Sequence, residues 1–208
     1  MTTPAPDTAT AFFAVSVLLA LSPGPDNVFV LMQSAMRGRA AGLLVVLGLC
    51  SGLLVHTAAV ALGLAALIAA SPIAFTALTW VGALYLLYLA WQAWRAPAMP
   101  LDTTTTRDAG RLYGRGIIMN VTNPKVSIFF LAFLPQFVAP ERGSVAAQVL
   151  WLGFIFMLAT LLVFGAIALT AGSLGQTLAQ SARAQRLLNR CAALTFAALA
   201  LRLATAQL

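Results

Sequence analysis

Charge is what this chain lacks. Of its 208 residues only five are acidic (Asp7, Asp26, Asp102, Asp108 and Glu141), and charged residues make up 8% of the total. Soluble domains carry about 25%. A chain that is 61% hydrophobic with a mean hydropathy of +0.93 belongs instead to the membrane class. Lysine and histidine occur once each, as Lys125 and His56. Lys125 follows a proline, which excludes a G-x-x-x-x-G-K-[ST] phosphate loop and ATP hydrolysis by that route. A G-x-S-x-G elbow and an H-E-x-x-H helix are missing too. An enzyme is therefore not expected, nor is a cofactor. The two cysteines, Cys50 and Cys191, lie in apolar segments and imply no disulfide framework. They read as small membrane-buried residues. Cys50 would sit about 240° round a helix from His56, so no metal site is expected.

What is present is a series of apolar runs of spanning length. Six are read, at about 10–34, 41–69, 73–94, 116–138, 145–172 and 188–206. No Lys or Arg precedes Phe12 and the first run continues past a Pro-Gly-Pro, so no cleaved signal peptide is expected. The net charge of +7 lies in short connectors, not on a basic face, so nucleic acid is not an expected partner and the lipid bilayer is. Arg37, Arg39, Arg95, Arg107, Arg111, Arg115, Arg183, Arg186 and Arg190 fall in the first, third and fifth connectors; the other side has Arg142 alone. Positive residues stay inside, which puts both termini outside. Arg202, near a helix end, is expected to snorkel to the surface.

The whole chain, 1–208, reads as one transmembrane domain. A polar, Pro- and Thr-rich stretch at about 96–115 reads as a flexible cytoplasmic linker between repeat 1 (about 10–95) and repeat 2 (about 116–208). Three spans per half force the halves into opposite orientations. The expected fold is thus an all-α membrane protein of six helices in a 3+3 inverted repeat, with Pro-broken helices 1 and 4. Transporters built this way place their sites where the repeats meet.

Two stretches break apolar runs at corresponding positions: Ser22-Pro23-Gly24-Pro25-Asp26-Asn27 and Asn120-Val121-Thr122-Asn123-Pro124-Lys125. Pro23 and Pro25 cannot donate to the carbonyls of Leu19 and Leu21, and Pro124 leaves that of Asn120 free. Such breaks are tolerated in a membrane only where protein or a water-filled cavity satisfies the backbone. Asp26 and Asn27 would stand at the start of a half-helix, where a side-chain cap is natural. Asp26 and Lys125 are the charges placed deepest, and neither should face lipid. They would either form a buried ion pair that ties the halves or line a cavity and bind; Lys125 could also lie at the cytoplasmic interface beside Arg111 and Arg115. Gly48, Gly52 and His56 recur every four residues, a face suited to close helix packing that Gly38 and Gly42 extend. His56 is expected to make a hydrogen-bonded packing contact, with a proton relay as the rival role. Glycine faces serve within a bundle or between protomers alike, so a homo-oligomer stays open.

At these residues the chain resembles the LysE/RhtB family of bacterial amino-acid exporters. The resemblance rests on Leu21-Ser22-Pro23-Gly24-Pro25-Asp26-Asn27, on the Gly-rich second span ending Gly52-Leu53-Leu54-Val55-His56, and on Trp80-Val81-Gly82-Ala83-Leu84-Tyr85-Leu86-Leu87-Tyr88-Leu89. It is completed by Asn123-Pro124-Lys125 with Phe129, Phe130 and Pro135-Gln136-Phe137. It implies export of small amino acids across the inner membrane in exchange for protons. Substrates in the family range over basic, neutral, branched and sulfur-containing amino acids, with a distant cadmium branch. With the zwitterion that the resemblance implies as a guide, the substrate ammonium would meet Asp26 and the carbonyls freed by Pro23 and Pro25. The carboxylate would face Lys125, Asn123 or a half-helix N-terminus. Asp26 is the first choice for carrying the proton. A cationic substrate would profit from a second acid, and the others lie in tails or loops, which favours a neutral one such as threonine, homoserine or leucine. A basic amino acid or another small metabolite is the alternative; a metal-ion exporter, a membrane-embedded enzyme and an accessory membrane subunit are weaker rivals.

Overall fold

The computed structural model describes residues 4–22, 24–70, 72–95, 109–171 and 181–205. Eight α-helices and no strands occur among them: α1 (Pro6–Leu21), α2 (Pro25–Arg37), α3 (Arg39–Ala70), α4 (Pro72–Arg95), α5 (Ala109–Val121), α6 (Pro124–Ile128), α7 (Val145–Thr170) and α8 (Ala182–Thr205). After α6 the chain runs through a π turn (Phe129–Phe133) and a 3-10 turn (Leu134–Phe137). The residues from Ala109 that read as linker are helical; 96–108 lie outside the described residues.

Both expected breaks are present. The α1 and α2 axes meet at 64°, and α5 meets the segment Pro124–Phe137 at 47°. Prolines open α2 and α6, where a missing N–H is harmless. Arg39–Gly63 of α3 and the whole of α7 are long and apolar enough to cross a membrane alone, and each bent pair would add one span. The described residues thus hold two to four candidate spans of the expected six. α4, rich in Trp and Tyr, and α8, with Arg183, Arg186, Arg190 and Arg202, are helical where spans were expected but less apolar.

Helix α3 packs on α5 and α7, α1 on α7, and α4 on α8. The glycine face of α3 makes the first contact possible. A Cβ on Gly48 would collide with the Tyr113 carbonyl of α5, and one on Gly52 would come within 2.6 Å of the Asn120 Cβ. Gly38 does not belong to this face: with φ at 86° it ends α2 in a conformation that favours glycine. An aromatic core fills one end of the molecule, where Phe129 lies 5.7 Å from Phe12, 5.1 Å from Phe133 and 5.1 Å from Phe156. Arg202 is exposed, with its guanidinium 4.8 Å from the Phe137 ring. Cys50 is buried, but Cys191 is exposed.

Candidate functional site

The two breaks meet in the interior. Asp26 on α2 accepts a 2.6 Å hydrogen bond from Nδ2 of Asn123, just before α6. Asn123 uses its Oδ1 to cap α6, accepting from the Lys125 backbone N–H at 3.0 Å. One amide therefore joins the halves and starts a helix. Lys125 is only 6% exposed, whereas Arg111 and Arg115 are exposed.

The lysine does not pair directly with Asp26. Its ammonium donates to the carbonyls of Ser22 (3.1 Å) and Leu19 (3.3 Å) at the end of α1. A cation at a helix C-terminus satisfies orphan carbonyls and the dipole together. The Leu19 carbonyl, expected to be free for substrate, is thus held by Lys125. Asn27 closes the same helix end, Nδ2 donating to the Ala20 carbonyl at 2.8 Å. Neither Asp26 nor Asn27 caps α2, whose N-cap Gly24 has no side chain to offer and no side-chain cap bond. Both carry side chains within the first turn, and the break aims them across at α6 and back at α1. Gly24 leaves room for the lysine: a Cβ there would stand 3.2 Å from Nζ. Pro23 lies outside the described residues.

His56 meets the other break. Its Nε2 donates to the Asn120 carbonyl at 3.2 Å, the carbonyl that Pro124 cannot reach, and its ring lies 5.6 Å from that of Phe130. A carbonyl only accepts, so Nε2 carries the hydrogen here.

Between the breaks lies a narrow cavity lined by Asp26, Asn120, Lys125 and Thr160, with Leu19, Ala20, Leu49, Val126, Phe156 and Phe164 as apolar walls. At about 10 Å³ it is the size of one water, so anything larger can enter only after movement. Asp26 presents an Oδ1 with no hydrogen-bond partner into this buried region. No group of three His, Cys, Asp or Glu suited to a metal occurs among the described residues. Sequence reasoning missed Asn120 as a side chain and missed Thr160 altogether. Thr160 sits in an uninterrupted apolar run, and only packing reveals which way it faces. It also missed Gln148, which is buried and ties down the backbone of Ala139 on both sides, accepting from its N–H at 3.0 Å and donating to its C=O at 2.9 Å.

The LysE type translocator family matches residues 17–207. A homoserine/homoserine lactone efflux protein of Salmonella typhi is 36% identical over 163 residues, 77% of this chain and 79% of that protein. Its counterpart in Salmonella typhimurium is 35% identical over the same shares. An uncharacterized membrane protein of Vibrio cholerae is 33% identical over 77% of this chain and 80% of its own. None of the solved structures matches. A match over nearly the whole chain, on a helical fold with two interrupted helices around a charged cavity, fixes its kinship: this is a multi-pass membrane protein of the LysE/RhtB family of translocators.

Proposed function

We propose that this chain is a secondary exporter of small neutral amino acids, homoserine and threonine foremost, across the bacterial inner membrane. One observation carries the reading: a single cavity between the two helix breaks has a buried carboxylate on one wall and a buried ammonium on another. That arrangement complements a zwitterion. The unpartnered Oδ1 of Asp26 would accept from the substrate ammonium, and the third N–H of Lys125 would meet the carboxylate. The remaining described acids, Asp7 and Glu141, are exposed, so among the described residues no second carboxylate faces the cavity. The named homoserine efflux relatives point the same way.

Six spans in a 3+3 inverted repeat, with the termini outside, give this site its working frame. The packing supports that symmetry: exchanging the halves turns the α3–α5 contact into the α7–α1 contact and returns α3–α7 and α4–α8 to themselves. Rocking of one repeat against the other would expose the cavity alternately, in exchange for protons carried by Asp26. The test is release of amino acids from cells loaded with a mixed dipeptide panel and expressing the chain or its Asp26→Asn form. Selective release that is lost in the variant and on collapse of the proton gradient supports the reading. No selective release from verifiably inserted protein overturns it.

A further inference from the structure

Asp26 and Lys125 account for the two charges of an amino acid but leave two polar groups of the cavity unused. Asn120 (α5) is 3% exposed and Thr160 (α7) is 2% exposed, and both line the cavity. Among the described residues the Asn120 side-chain amide makes no hydrogen bond, and its Oδ1 is fully buried. Swapping its oxygen and nitrogen would leave an equally unpartnered amide. The Thr160 hydroxyl makes no hydrogen bond either among the described residues, though its oxygen is not closed off as completely as that of Asn120. Of the buried helical hydroxyls elsewhere, Ser16 donates back to Phe12 at 2.7 Å and Thr57 to Leu53 at 2.8 Å, while that of Ser34 has no partner. Thr160 does not bond the carbonyl of Phe156. Gly52 lies against Asn120, with space for no Cβ of its own, so α3 holds the amide in place from behind.

Buried polar groups without partners are rare and call for an explanation. We propose that Asn120 and Thr160 form a side-chain subsite that reads a hydroxyl on the substrate. A hydroxyl donates once and accepts twice, so it can donate to the Asn120 oxygen while accepting from Thr160. The apolar walls Leu49, Phe156 and Phe164 surround the remaining carbons. A purely aliphatic side chain would leave the Asn120 oxygen buried and unpaired and the Thr160 hydroxyl shut in without a partner. A site built to hydrogen-bond a hydroxyl rejects analogues lacking it far more strongly than an apolar pocket rejects a missing methylene. This inference rests on the amino-acid export reading and adds its side-chain chemistry.

The test uses the full chain in proteoliposomes and three probes: homoserine, threonine and 2-aminobutyrate, which is the deoxy analogue of both. The wild type is expected to prefer the hydroxylated pair by at least about tenfold. Thr160→Val keeps the shape and removes the hydroxyl; it should bring the ratio of homoserine or threonine transport to 2-aminobutyrate transport close to one, whatever the absolute rates. Thr160→Ser should restore the preference. Equal wild-type transport of all three probes overturns the subsite and leaves amino-acid export standing. An equal fall for all three probes in Thr160→Val makes Thr160 a packing residue and overturns it too. Transport of none of the three probes, with leucine carried, refutes the subsite alone. Transport of no amino acid at all refutes both readings.

Discussion

Replacing Asp26 by Asn separates a functional carboxylate from a structural tie. The variant keeps the shape and an acceptor for Asn123, so the 2.6 Å bridge survives as a neutral hydrogen bond. Charge-assisted bonds contribute about 1.5–3 kcal/mol and neutral ones about 0.5–1.5, a loss near 1 kcal/mol. The attraction to Lys125 also disappears. The two charged groups are not in direct contact, and the ammonium bonds carbonyls instead. At an effective dielectric of 20 that attraction is worth less than about 4 kcal/mol. Opposing it is the relief of no longer burying a carboxylate, also several kcal/mol. The two large terms nearly cancel, and the net change should be about 1–2 kcal/mol, a few degrees in Tm. On the proposed mechanism export should nonetheless fall to background, because Asp26 is the group assigned there to the substrate ammonium and to the proton. The assay pairs thermal unfolding in detergent with efflux from cells of matched expression. Wild-type efflux from the variant refutes the functional role. A destabilisation of about 3–5 kcal/mol, the figure for a broken buried pair, would make Asp26 a structural tie.

Further outcomes are expected elsewhere. His56→Gln retains a donor for the Asn120 carbonyl, so efflux and its dependence on the proton gradient should persist; loss of that dependence alone would make His56 a relay. Gly52→Ala should cost about 1–3 kcal/mol by forcing Asn120 away, read as a lower Tm, with a matching change in substrate preference. Gln148→Leu strips both hydrogen bonds from the Ala139 backbone and should lower stability by about 1–3 kcal/mol while leaving substrate preference unchanged, measured by Tm and by efflux ratios.

The breaks were legible because proline acts locally: Pro25 and Pro124 interrupt a helix whatever surrounds them. The glycine face of Gly48 and Gly52 was legible for the same reason, since spacing alone sets what shares a side of a helix. Gly38 was misread because a four-residue repeat says nothing about whether the helix is continuous. Asn123 as the bridge to Asp26, and Lys125 on the α1 carbonyls, depend on contacts about a hundred residues apart in sequence. No local pattern encodes them. Asn120 and Thr160 were hidden because a lone polar residue in an apolar run is silent until its neighbours are known.

The hold of Lys125 on Leu19 and Ser22 means that the end of α1 already carries a primary ammonium. Any motion that parts α1 from α6 must break these two bonds together, freeing one ammonium and two carbonyls at the same moment. The contact is therefore a latch whose opening creates both a donor and its acceptors in the interior, and a change in the separation of the two halves should be felt first at Lys125.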